Sequence, residues 1–265
     1  MIDDDGKTRF YPQSLAKQLH SFQLPEFQPV DIKASFNSRN SFWYPRRTDD
    51  RGQPGQPNFL HVAVHEFVHG LGLASSWSEY VKSRPRGLTP LPQYQNPEGN
   101  FQFNGFHEDV FDRYLIDPAT NASLSKWTDE LNKFMSTHGT EFSDEQDFGQ
   151  KFSGSADFDI AKRAMQLATK RRGLAFFTRN RTIVFLESSL RPYIPGASIS
   201  HLDFDTYTGT ADFLMRHKMD DIPGETHWVD SNGGIRLIGP RVLAILETLG
   251  YTINNDPQSV DELMP

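Results

Sequence analysis

The chain has 265 residues, 37% hydrophobic and 23% charged, long and apolar enough for one sizeable folded domain and not for a disordered polymer. Its formal net charge of -7 excludes a partner held mainly through phosphate neutralisation, so no nucleic-acid partner is expected. No apolar run approaches a membrane span, and with no cysteine any metal must be held by His, Asp or Glu.

The opening Met1-Ile2-Asp3-Asp4-Asp5-Gly6-Lys7 is not a signal peptide. A short helix is expected after Pro12, with Leu15, Leu19 and Phe22 on one face. Val30 to Phe36 alternates apolar and polar, the pattern of a half-buried strand. Arg46 to Pro57 reads as a loop, and from about Pro57 to Leu73 the spacing predicts a helix that is apolar nearly all round. Residues 74–124 are rich in Pro, Gly and Asn and exclude long helices. Within them, Phe106 to Asp117 reads as strand-like, and His107-Glu108-Asp109 as a solvated charged edge, because adjacent side chains do not converge on one ion. Helices are expected over Ser125–His138, over Asp157–Arg172 with a basic end at Lys170-Arg171-Arg172, and from Pro240 to Leu249 with Gly250 as its stop. Leu174 to Leu186 reads as a hairpin around Arg179-Asn180-Arg181, and the tail after Tyr251 as frayed. The sequons Asn121-Ala122-Ser123 and Asn180-Arg181-Thr182 lean weakly toward export; localisation and oligomeric state otherwise stay open.

The most informative stretch is His65-Glu66-Phe67-Val68-His69-Gly70-Leu71-Gly72. On a helix, His65 and His69 share a face and can offer two imidazole nitrogens to one zinc ion, with Glu66 beside them as a general base rather than a ligand. Catalytic zinc normally takes a third protein ligand. The compact motif H-E-x-x-H-x-x-G-x-x-H would place it at Ser75, whose neutral hydroxyl is a poor ligand. Glu79, Glu98 and Glu108 lie in no convincing helix. His201, in Ser200-His201-Leu202-Asp203, is favoured; Asp203 then orients an imidazole, or is itself the ligand.

This order of motifs resembles the metzincin clan of zinc metallopeptidases, specifically its leishmanolysin-like branch. There an inserted domain separates H-E-x-x-H-x-x-G from a third histidine, followed by a methionine turn and a helix ending in Leu-Gly-aromatic. The matching residues are Ser200-His201-Leu202-Asp203, Phe213-Leu214-Met215 and Leu249-Gly250-Tyr251, so the likeness covers about half of the chain, roughly residues 57–77 and 196–251. It implies an α+β, zincin-like two-lobe fold: a small mixed sheet, an active-site helix, and a mostly helical or irregular C-terminal lobe. It implies one catalytic domain over 1–265, with an upper lobe at about 1–77, an insertion at about 87–197, and the third ligand, Met-turn and last helix at about 198–251. Met215 would pack beneath the metal. Against that branch, which is rich in disulfides, this chain has none, and Leu202 stands where an aromatic is usual.

The expectation is therefore a zinc-dependent endopeptidase acting on a protein or peptide substrate, with zinc lowering the pKa of its water toward about 7 and Glu66 taking the proton. Two alternatives stay open. One is a catalytically inactive zincin-fold binding or adhesion module; the other is a zincin of another layout with Asp203 or Asp212 as third ligand.

Overall fold

In a computed structural model the chain is described over residues 1, 3–19, 27–44, 53, 55–96, 101–218, 228–229 and 235–254, with only the main chain at 228–229 and 235–236. The elements run β1 (Arg9–Phe10), α1 (Gln13–Ala16), α2 (Phe59–Gly70), β2 (Leu91–Gln95), β3 (Phe101–Asp109) and a 3-10 helix at Val110–Tyr114. Then come β4 (Leu115–Asp117), β5 (Ala122–Ser123), α3 (Leu124–His138), β6 (Glu141–Phe142), α4 (Glu145–Ser153), α5 (Phe158–Ala168), β7 (Ala175–Phe177) and β8 (Ile183–Phe185). The last are α6 (Phe204–Tyr207), a 3-10 helix at Phe213–Met215, β9 (Trp228–Val229), β10 (Ile235–Arg236) and α7 (Pro240–Leu249). Helices mix with small open sheets, compatible with the α+β class. No helix among the described residues is long and apolar enough to cross a membrane. Two compact units form, Met1–Tyr11 with Ala74–Asp203, and Pro12–Leu73 with Phe204–Pro265.

The first unit carries two four-stranded sheets. In one, β3 pairs with β2 and β6 antiparallel and with β1 parallel. In the other the order is β5-β4-β7-β8, all antiparallel. The β7–β8 pair, Phe176 opposite Val184, is the hairpin expected around Asn180. Helix α3 is tied to β3 by Asn132, whose Oδ1 accepts from the Phe106 N–H (2.7 Å) while its Nδ2 donates to the Phe106 carbonyl (3.0 Å). Around them a phenylalanine core closes: Phe103, Phe106, Phe134, Phe148, Phe152 and Phe158 are essentially inaccessible. The Phe103 and Phe148 rings lie 4.3 Å apart, and each such buried ring contributes about 1.5–3 kcal/mol. Phe148 and Phe152 come from α4, a helix capped by Asp144 on the Asp147 N–H that the sequence reading did not anticipate.

Several expectations are corrected in this unit. Phe106–Asp117 is not one strand: β3 ends at Asp109, and a 3-10 turn intervenes before β4. Helix α5 stops at Ala168, so Lys170, Arg171 and Arg172 lie beyond its last turn and do not serve its dipole. The residues at 107–109 are not a solvated edge. Glu108 is buried against α3, accepting from Ser125 and Thr128 and paired with the inaccessible Arg9 guanidinium (3.0 Å). Arg9 also binds Asp3 and Asp5, so a charge that would be prohibitive to bury alone is matched on several sides.

In the second unit, α2 starts at Asn58, whose side chain accepts from the Leu60 and His61 N–H groups. It ends in a turn at Gly72, whose φ of +107° favours glycine. Contrary to expectation the helix is not buried all round. His61, His65 and Val68 face inward, whereas Leu60 and Phe67, seven residues apart on one stripe, are nearly half exposed. The expected strand at Val30–Phe36 does not form. Ile32, Ala34 and Phe36 are half-buried and alternate with exposed Asp31, Lys33 and Ser35, so the periodicity was read correctly, but among the described residues no strand pairs with this run. Phe36 stacks edge-on to Phe59 (5.1 Å) and Ile32 covers Gly70. Phe22, most of the 46–57 loop, Glu98 and the end of the tail lie outside the described residues.

Candidate metal centre

His65 and His69 lie one turn apart on α2 and present their Nε2 atoms to each other at 3.1 Å. Their other nitrogens are fixed by the main chain. Nδ1 of His65 bonds the Leu214 carbonyl at 2.7 Å, and Nδ1 of His69 the Leu73 carbonyl at 2.7 Å. A carbonyl only accepts, so each Nδ1 carries the proton of its hydrogen bond, and Nε2 is the nitrogen of each ring through which a metal could be held. Burial, opposed by the Leu214 carbonyl and the Glu66 charge, holds the His65 imidazole below its usual pKa and keeps it neutral. Glu66, next to His65, is exposed on the helix surface.

Leu214 belongs to the 3-10 helix at Phe213–Met215, which packs on α2. Met215 in that turn is completely buried. Asp212, one of the alternative ligands, is committed elsewhere. Its Oδ1 accepts from the Arg241 N–H at 2.7 Å, capping α7 from outside the helix. The cap residue of α7, Gly239, has no side chain for that task, and a Cβ there would come within 2.2 Å of the Ala211 carbonyl oxygen.

In the first unit, His201 is buried and repeats the same arrangement: its Nδ1 bonds the Ala197 carbonyl at 3.0 Å. The main chain around it continues the β8 edge. Ile199 N–H donates to the Glu187 carbonyl (2.7 Å), Glu187 N–H to the His201 carbonyl (2.8 Å), and Asp203 N–H to the Phe185 carbonyl (3.1 Å). Asp203 is buried as well. The carbonyls of Leu73, Ala197 and Leu214 were missed by sequence reasoning, since a backbone acceptor has no residue-type signature.

A family model described as SPBPB7E8-like matches residues 1–265. Among curated proteins the chain is similar to "Uncharacterized protein PB7E8.01" of Schizosaccharomyces pombe, with 26% identity over 285 residues. The match takes in 96% of this chain but 48% of that relative, so the chain spans about half of the relative's length. No solved structure matches. With the whole of its length covered by that model, the chain belongs to the SPBPB7E8-like family.

Proposed function

We propose that this chain is a zinc-dependent peptidase of zincin-like, two-lobe fold, as its likeness to the leishmanolysin-like metzincins implies. His65, His69 and His201 hold the ion, and Glu66 is the general base. The observation that carries this is that His65 and His69 turn their Nε2 atoms toward each other at 3.1 Å in one unit, while His201 is buried and held through its Nδ1 in the same way in the other. The donor chemistry fits zinc: three imidazoles, each with its Nδ1 bonded to a main-chain carbonyl, the contact that orients a metal-binding histidine and fixes its tautomer. The His65 and His69 Nε2 atoms, 3.1 Å apart, are close enough to serve as two ligands of one ion.

A zinc ion held by these histidines would supply Lewis acidity, which lowers the pKa of water and favours attack on a scissile carbonyl. Glu66 takes the proton of the attacking water on a carboxylate oxygen and passes it to the leaving amine. Glu66 is exposed, so its carboxylate is open to solvent and to a substrate. The test is metal analysis of the purified protein and of His65→Ala, His69→Ala and His201→Ala. Stoichiometric zinc in the parent and its loss in each variant is the expected result. Zinc and peptide cleavage both retained in His201→Ala would show the third ligand to be wrong.

A further inference from the structure

Ser75 stands where the compact zinc motif would carry its third histidine, yet its hydrogen bonds give it other work. Its Oγ donates to Oδ1 of Asp112 (2.6 Å) and accepts from the Trp77 N–H (3.1 Å). Asp112 is fully buried and also accepts from the N–H groups of Ser76 (3.0 Å) and Asp109 (3.1 Å), so it fixes the Ser75–Ser76 backbone in one place. From that anchored backbone the Ser75 N–H donates to Oγ of Ser200 at 3.1 Å, 125 residues away. Ser200 immediately precedes His201.

The chain on either side of Ser200 is equally constrained. Ile199 lies at φ +57°, the left-handed region that a β-branched residue rarely enters. Such a conformation costs on the order of 1–3 kcal/mol and persists only where the surroundings over-determine it. Here the Glu187 carbonyl holds its N–H, and its side chain is completely buried. The segment is thus gripped through its backbone by Phe185 and Glu187, and through the Ser200 hydroxyl by Ser75.

We infer that Ser75 and Ser200 are positioning residues for His201. The residue that would ligate directly in the compact motif acts instead through a hydrogen bond that sets where the distant imidazole stands. This rests on the peptidase reading above, since positioning matters only if His201 is a ligand.

The experiment uses the full chain and measures zinc affinity by competition with a chromophoric chelator, alongside the melting temperature of the metal-free protein. Ser200→Ala and Ser75→Ala each weaken zinc binding about tenfold or more, the usual consequence of losing a group that orients a ligand, with little change in metal-free melting. Ser200→Thr, which keeps the hydroxyl, restores most of the affinity. The inference is overturned if both alanine variants bind zinc as tightly as the parent, or if affinity falls only in step with metal-free melting. A parent protein that binds no zinc is a separate result and overturns the peptidase reading itself.

Discussion

The Nδ1–H of His65 donates to the carbonyl of Leu214 at 2.7 Å, across 149 residues of sequence. One hydrogen bond therefore sets both the tautomer of a candidate ligand and the seating of the 3-10 turn that bears Met215. Met215 is completely buried, so Met215→Ala should destabilise the protein by about 2–5 kcal/mol, whereas Met215→Leu should cost less than about 1.5 kcal/mol. Denaturant unfolding checks both. Zinc affinity should fall in the alanine variant, because the Leu214 carbonyl is next to the cavity.

Glu66 is exposed, so Glu66→Gln should leave stability within about 0.5 kcal/mol and zinc content unchanged. Loss of the general base should lower kcat for peptide cleavage by roughly a hundredfold to ten-thousandfold. Cleavage at the parental rate in this variant would sink the mechanism while leaving the metal site intact.

Asp212 caps α7 through the Arg241 N–H. Burial raises its carboxyl pKa, against the lowering effect of the bonds to Arg241 and Val242. Asp212→Ala should cost about 1–2 kcal/mol, the range for a lost helix cap, and leave zinc stoichiometry untouched. Zinc loss with unchanged stability would instead identify Asp212 as a ligand.

Arg9 and Glu108 form a buried ion pair, each nearly inaccessible. Arg9→Ala strands the Glu108 charge in the interior and should destabilise by about 3–5 kcal/mol. The exposed pair Lys133–Glu130 provides the contrast: Lys133→Ala should change stability by no more than about 1 kcal/mol. Chemical unfolding of the two variants side by side measures the difference.

Burial pushes the Asp109 carboxyl up to about 6. A carboxyl whose folded pKa exceeds its unfolded value binds its proton more tightly when folded. Its contribution is therefore full below about pH 4 and is lost as pH rises through about 6, an effect on the order of 3 kcal/mol at most. Asp109→Asn keeps an acceptor for the Asp112 N–H at the start of the 3-10 turn but cannot titrate. Between pH 4 and 7 its stability should fall less than that of the parent, as followed by unfolding at each pH.

Much of the fold was legible because it is written in local periodicity. The Val242, Ile245, Leu246 and Leu249 spacing gave α7, and Gly250 its end. The turn at Arg179-Asn180-Arg181 gave the β7–β8 hairpin. The i, i+4 spacing of His65 and His69 gave their adjacency. What stayed hidden depends on partners far along the chain. Glu108 looked solvated because its counter-ion, Arg9, lies 99 residues earlier. Ser75 looked like a missing ligand because the hydroxyl it meets is 125 residues later. The Val30–Phe36 alternation was real, but periodicity reports which side chains turn inward and not whether a neighbouring strand exists.

That run has a consequence for handling the protein. From Asp31 to Phe36 the run joins no sheet ladder among the described residues. A run with this alternation that is not committed to a ladder is one with which a strand of another chain could pair, and its half-buried apolar side chains do not oppose stacking. What does oppose it is Lys33, exposed at the middle of the run, with Asp31 engaged by Lys17 at its start. Colloidal stability at high protein concentration should therefore hinge on a single lysine. Neutralising it, as in Lys33→Val, should convert a soluble preparation into one whose light scattering grows with time and concentration.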